Sequence, residues 1–215
     1  MSRNWSSPGL RSYDPDESAV FFRVREQHGV LANMAGGFPL DLAGIRVGST
    51  EAYYQSMRWS HRPDIQARIL AETSPMQAKR TAYEYLPDAR PDWQKINISV
   101  MRIALRAKLI FHRGRMLDAL DATGDLPIVE KSSRDAFWGA TLRPDGTLKG
   151  ANVLGRLWME LRNELRQDPA AYADGIGHIT IPRHTLLGQE IKVILPCVEP
   201  KPEADSPSAQ IQMNF

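Results

Sequence analysis

The chain has 215 residues, a formal net charge of +2, 42% hydrophobic and 24% charged residues, which is the composition of a globular protein long enough to bury a substantial core. No apolar run reaches the roughly 18 residues of a bilayer span, and the polar start MSRNWSSPGL lacks the apolar segment of a secretory signal, so a cytoplasmic protein without membrane contact is expected. Cys197, the single cysteine, excludes an intramolecular disulfide and a multi-cysteine zinc site, and in ILPCVEP it has no activating neighbours.

Residues 1–19, rich in Ser, Pro, Gly and Asp, read as a flexible lead-in, and AVFFRVRE as a first strand. The Gly and Pro punctuation of GVLANMAGGFPLDLAGIRVGST predicts loops and a hairpin. Helical signals then take over. Ser49 or Thr50 can cap a helix beginning at Glu51, RPDIQARILAET supplies a second, and Ser74 with Pro75 opens a third in SPMQAKRTAYE.

The strongest helix is DWQKINISVMRIALRAKLIFH, with Ile98, Met101, Leu105 and Leu109 on one face. LPIVEKS reads as a buried strand and RPDGTLKG as a turn into a last helix, ANVLGRLWMELRNELRQ, carrying Val153, Leu157, Leu161 and Leu165 at helical spacing. Residues 20–167 thus form one domain. Residues 168–197 follow as a short β-rich extension, in which GHITIPRH and EIKVILP alternate like strands, and the polar, Pro-rich residues 198–215 read as a disordered tail.

Three clusters carry residue types suited to chemistry. On a helix starting at Glu51, the side chains of Glu51, Tyr54, Gln55 and Arg58 share one face, which is either solvated or a polar site. IVEKSSRDAFWGA delivers Glu130, Asp135, Phe137, Trp138 and Gly139 after a buried strand, with the alternative that Asp135 merely caps a turn and Trp138 plugs the core. In KGANVLGRLWMELR, Gly150 and Asn152 precede a helix start whose N–H groups could hold a phosphate, while Gly155 is explained equally well by close packing. The histidines are scattered without metal-ligand spacing, so neither a metal nor another cofactor is expected.

Taken in order, LANMA, TEAYYQ, SPMQAK, RPDW, VMRIALRAK, IVEKSSRDAFWGA and GANVLGRLWMELR resemble the NADAR superfamily of YbiA-like N-glycosidases over about residues 20–167. The resemblance implies an α+β, mainly helical single domain with a small β component. It also implies cleavage of the bond between ribose C1 and a nitrogen-bearing leaving group. Family members act on ribosylaminopyrimidines of riboflavin synthesis, or remove ADP-ribose from guanine in DNA and so counteract ADP-ribosyltransferase toxins.

Ala52 stands where the YbiA type carries histidine, and SMRWSHRPDIQARI with GATLRPDGTLKGANVLGRL is more similar to the DNA-directed branch. The expected substrate is therefore ADP-ribosylated DNA, or else a ribosylated nucleobase, with a toxin as functional partner. A module that binds ADP-ribose without turnover is the third alternative.

Glu51 is expected to lie beneath ribose C1 and polarise the attacking water, with Asp135 as second carboxylate, orienting ribose hydroxyls or supplying the partner acid, and the two roles exchangeable. Lys79 and Lys108 match the family's basic positions and could hold pyrophosphate or react with C1, although Lys108 reads equally as a core-edge lysine. Trp93 and Trp138 are candidates to stack on the base, Asn33, Gln55 and Asn152 to hydrogen-bond it or a phosphate, and Arg58 to contact phosphate. Tyr54 and Gly139 complete the expected substrate wall.

Overall fold

The computed structural model describes residues 8–196. The tail 198–215 and Cys197 lie outside the described residues. Strands β1 (Arg11–Tyr13), β2 (Ala19–Phe21), β5 (Ile128–Ser132), β6 (Ala140–Leu142) and β7 (Leu148–Gly150) form a 5-stranded sheet in the order β1-β7-β6-β5-β2, with β5 parallel to both of its neighbours. β1 lies inside the stretch read as lead-in and pairs antiparallel with β7, placing Ser12 opposite Lys149. Three residues carry too little alternation for such an edge strand to be seen in sequence.

The hairpin expected before residue 50 is β3 (Leu40–Leu42) and β4 (Ile45–Val47), joined at Ala43 and Gly44, both with positive φ. Two consecutive left-handed residues make the tight turn whose twist suits paired strands. Helices α1 (Thr50–Ser56), α2 (Pro63–Leu70) and α3 (Pro75–Tyr83) follow. Ser49 rather than Thr50 caps α1, its hydroxyl accepting from Ala52 N at 3.1 Å, and Ser74 caps α3 in the same way at 3.2 Å.

α4 (Trp93–Phe111) is the central helix, touching α1, α5 (Arg113–Asp121) and α6 (Val153–Gln167). α5 has no clear signal in the sequence, because Arg-Gly-Arg and two aspartates dilute its apolar face down to Met116 and Leu120. Residues 143–150, expected as a turn into the last helix, instead close the β6–β7 hairpin and include β7 itself. In the extension, β8 (Thr185–Leu186) and β9 (Gln189–Glu190) pair around Leu187 and Gly188, while Ile176 bridges Ile194.

The core gathers Trp59, Trp158, Tyr53, Phe21 and Phe38 as its largest fully buried apolar side chains. Ile176, Leu186, Ile191 and Ile194 of the extension belong to that same core, so residues 176–194 are part of the folded unit. Among the described residues, no helix is long and apolar enough to cross a membrane.

Candidate active site

The seven residues of α1 are all buried, including Glu51, Tyr54 and Gln55. Glu51 accepts a short hydrogen bond from the amide of Asn33 and another from Gln55 Nε2 at 2.7 Å, so each carboxyl oxygen has an N–H donor. Helical spacing supplies Gln55, one turn after Glu51. Asn33 comes from the loop before β3, whose path is held by Thr50 Oγ1 donating to the Asn33 carbonyl at 3.1 Å. The remaining amide oxygens of Asn33 and Gln55, and Arg58 Nε, are buried without a hydrogen-bond partner, as groups that meet a ligand or bound water commonly are.

Glu130 stands at the centre of β5, paired in register with Phe21. Burial pushes its carboxyl up to about 7; the charges of Asp135 and Glu51 push the same way, and Lys79 opposes them. These four groups are therefore electrostatic neighbours, although they arrive from α1, α3, β5 and the turn at 133–139. A carboxyl at about 7 exchanges its proton near neutrality, which suits a group that donates and recovers one. Glu130 has no role among the sequence expectations; the signal for it is an acid ending the apolar run LPIV.

Asp135 is exposed, and its Oδ1 accepts from the N–H groups of Phe137 and Trp138, both at 2.9 Å. It closes the turn that carries an aromatic ladder. Tyr54 lies 5.0 Å from Trp93 and 5.6 Å from Trp138, and Trp138 lies 5.1 Å from Phe137. Arg58 crosses this ladder at 5.0 Å from the Trp93 ring and 5.6 Å from that of Tyr83, which Lys79 also faces at 5.6 Å. Burial drives the Tyr54 hydroxyl well above its ordinary range, so Tyr54 serves as a neutral wall.

The phosphate reading of the α6 start does not fit the geometry. The N–H groups of Ala151, Asn152, Val153 and Leu154 donate to the carbonyls of Ala136, Gly139, Phe137 and Trp138 at 2.7–3.0 Å. Asn152, in the left-handed region at φ 47°, gives its side-chain amide to Ile128 O at 2.9 Å and accepts from Glu130 N at 3.0 Å. Its side chain thus holds β5 and the Glu130 backbone. Gly139 is a close approach as well, since a Cβ there would meet the Glu130 carbonyl at 2.5 Å.

Lys108 is fully buried, and its Nζ donates to the carbonyls of Val30 at 2.5 Å and Ala32 at 3.2 Å while lying 4.1 Å from the Phe38 ring centre. Burial, with Arg115 adding repulsion, pushes its ammonium down to about 7. The contacts fasten the loop that delivers Asn33. The structure thus sets Glu51, Asp135 and Lys79 near Glu130, joins Asn33 and Gln55 to Glu51, and packs Tyr54, Trp93, Trp138 and Arg58 against one another, while Lys108 and Asn152 hold backbone carbonyls. Among the described residues, no three His, Cys, Asp or Glu side chains group as metal ligands.

A NADAR domain model matches residues 20–166. The chain belongs to the NADAR domain family. It is 32% identical to the N-glycosidase YbiA of Escherichia coli over 145 residues, covering 67% of this chain and 86% of YbiA. It is 34% identical to a riboflavin biosynthesis protein of Vibrio vulnificus over 160 residues, but that match spans only 41% of the Vibrio protein. The NMR structure of YbiA superposes on this NADAR chain with a TM-score of 0.58 at 29% identity, covering 74% of this chain and 94% of YbiA, in agreement with an α+β, mainly helical domain.

Proposed function

We propose that this NADAR protein is an N-glycosidase that hydrolyses a ribosyl C–N bond, with Glu51 and Glu130 as the working pair. The observation that carries the reading is the Glu51 carboxyl held by two amide donors, with the Glu130 carboxyl, pushed up to about 7 by burial, as its electrostatic neighbour. As the C1–N bond breaks, its electron pair goes to the leaving nitrogen, which takes a proton from Glu130. Positive charge grows on the ribose and is stabilised by Glu51, which also orients the attacking water. The water oxygen bonds C1 and its proton restores the acid. This gives Glu130 the acid role expected of Asp135, whose charge raises Glu130's proton affinity from the turn.

The substrate favoured is ADP-ribose attached to guanine in DNA, which makes the enzyme the functional counterpart of a DNA-modifying toxin. Two features support it: Ala52 in place of the histidine of YbiA-type relatives, and an aromatic ladder running from buried Tyr54 to Phe137 at 37% exposure, which suits stacking of a large base. Arg58 and Lys79 are then the cations for pyrophosphate. The riboflavin name of the Vibrio relative favours a second reading, hydrolysis of a ribosylaminopyrimidine. Incubation with an ADP-ribosylated oligonucleotide should release ADP-ribose. Intact oligonucleotide beside an active control enzyme, together with release of ribose 5-phosphate from the pyrimidine, would decide for the second.

A further inference from the structure

The family match ends at residue 166, yet residues 176–194 are anchored directly behind the helix that carries Glu51. His184 is 2% exposed, and its Nδ1 lies 2.7 Å from the Ile191 carbonyl. A carbonyl only accepts, so Nδ1 bears the proton and Nε2 is left as an acceptor. Tyr53 supplies the donor, its hydroxyl 2.5 Å from Nε2. Tyr53 is fully buried on α1, on the side away from the shared face of Glu51, Tyr54, Gln55 and Arg58.

The same segment grips the turn after α1. Thr185 Oγ1 donates to the Ser60 carbonyl at 2.5 Å, and Gln66 Nε2 donates both to Ser56 O at 3.1 Å and to Thr185 O at 2.9 Å. Gln66 Oε1 accepts from Leu187 N at 2.7 Å, and Arg90 links Ser60 Oγ to the Pro182 carbonyl at 2.9 and 2.6 Å. A helix as short as α1 has little stability of its own, so its orientation is set by what it touches. Packing of its buried side chains restricts rotation about the helix axis, and a directional hydrogen bond at Tyr53 restricts it further.

We propose that His184 is a positioning residue for the active site: through the Tyr53 hydroxyl it sets the orientation of α1 and hence of the Glu51 carboxyl. The proposal rests on Glu51 belonging to the site. Substitution by glutamine preserves both functions, because its amide N–H can serve Ile191 and its oxygen can accept from Tyr53. Alanine removes both, and Tyr53→Phe removes the donor alone.

The test uses full-length protein labelled with 13C at glutamate carboxyls, the Glu51 resonance being identified by its loss in Glu51→Gln. At a temperature where circular dichroism shows each protein folded, His184→Ala and Tyr53→Phe should displace the Glu51 resonance in the same direction, and His184→Gln should keep it at the parental position. Turnover of whichever substrate the parent cleaves should fall about ten- to a hundredfold in kcat in the first two variants, with KM little changed. A Glu51 resonance unmoved in folded Tyr53→Phe, or moved as far by His184→Gln as by His184→Ala, overturns the proposal. Should the parent cleave neither substrate, the glycosidase reading fails while the resonance still decides the role of His184.

Discussion

At Glu130 the burial that suits a proton donor also works against the fold. Its carboxyl is raised from 4.5 to about 7, so the stability it contributes is complete below pH 4.5 and is lost as the pH rises through 7. Glu130→Gln should therefore raise the melting temperature at pH 8 and give no gain at pH 4.5, which thermal unfolding at the two pH values will check. The same variant should lose about 10²–10⁴-fold in kcat, together with the decline in rate above pH 7 expected of the parent. Glu51→Gln should bind substrate while losing turnover to a similar degree, read as a fall in kcat with KM retained.

Glycine and histidine act at the scale of whole elements. A Cβ on Gly155 would meet the Ile128 carbonyl at 2.1 Å and the Asn152 amide at 2.6 Å. Gly155→Ala should thus force α6 off β5 and cost about 1–3 kcal/mol by denaturant titration, although alanine is the better helix former. In the extension, burial holds His184 below its ordinary 6.5, Arg90 adds to this and the Ile191 carbonyl opposes it. The unfolded chain takes up that proton first, so stability falls as the pH drops below about 6.5. Melting curves between pH 7.5 and 5.5 should show a shallower decline for His184→Gln; His28 and His112, also lowered by burial, leave part of the slope in place.

Across the whole molecule, a net charge of +2 supplies little bulk attraction for nucleic acid. If the substrate is modified DNA, recognition must come from the site. Unmodified duplex should then bind no better than the roughly 10⁻⁴–10⁻⁶ M of non-specific contacts at physiological salt, measurable by fluorescence anisotropy. The helices were legible because their signals are local: Ser49 and Ser74 as caps, Pro75 at a first turn, and the buried faces of α4 and α6 at helical spacing. α5, β1 and the β6–β7 hairpin were not, because strands of three residues and a diluted apolar face take their stability from neighbours distant in sequence.

The sequence by itself determined the family, the helical plan and the shared face of Glu51, Tyr54, Gln55 and Arg58, since order, spacing and helical period are properties of the chain alone. Only the tertiary structure raised the proton affinity of Glu130, because that depends on its burial and on the charges of Glu51 and Asp135, which lie 79 residues before and 5 residues after it. It likewise turned Asn152 and Lys108 towards backbone carbonyls and seated the extension behind α1, since hydrogen bonds between distant segments exist only once the chain has folded.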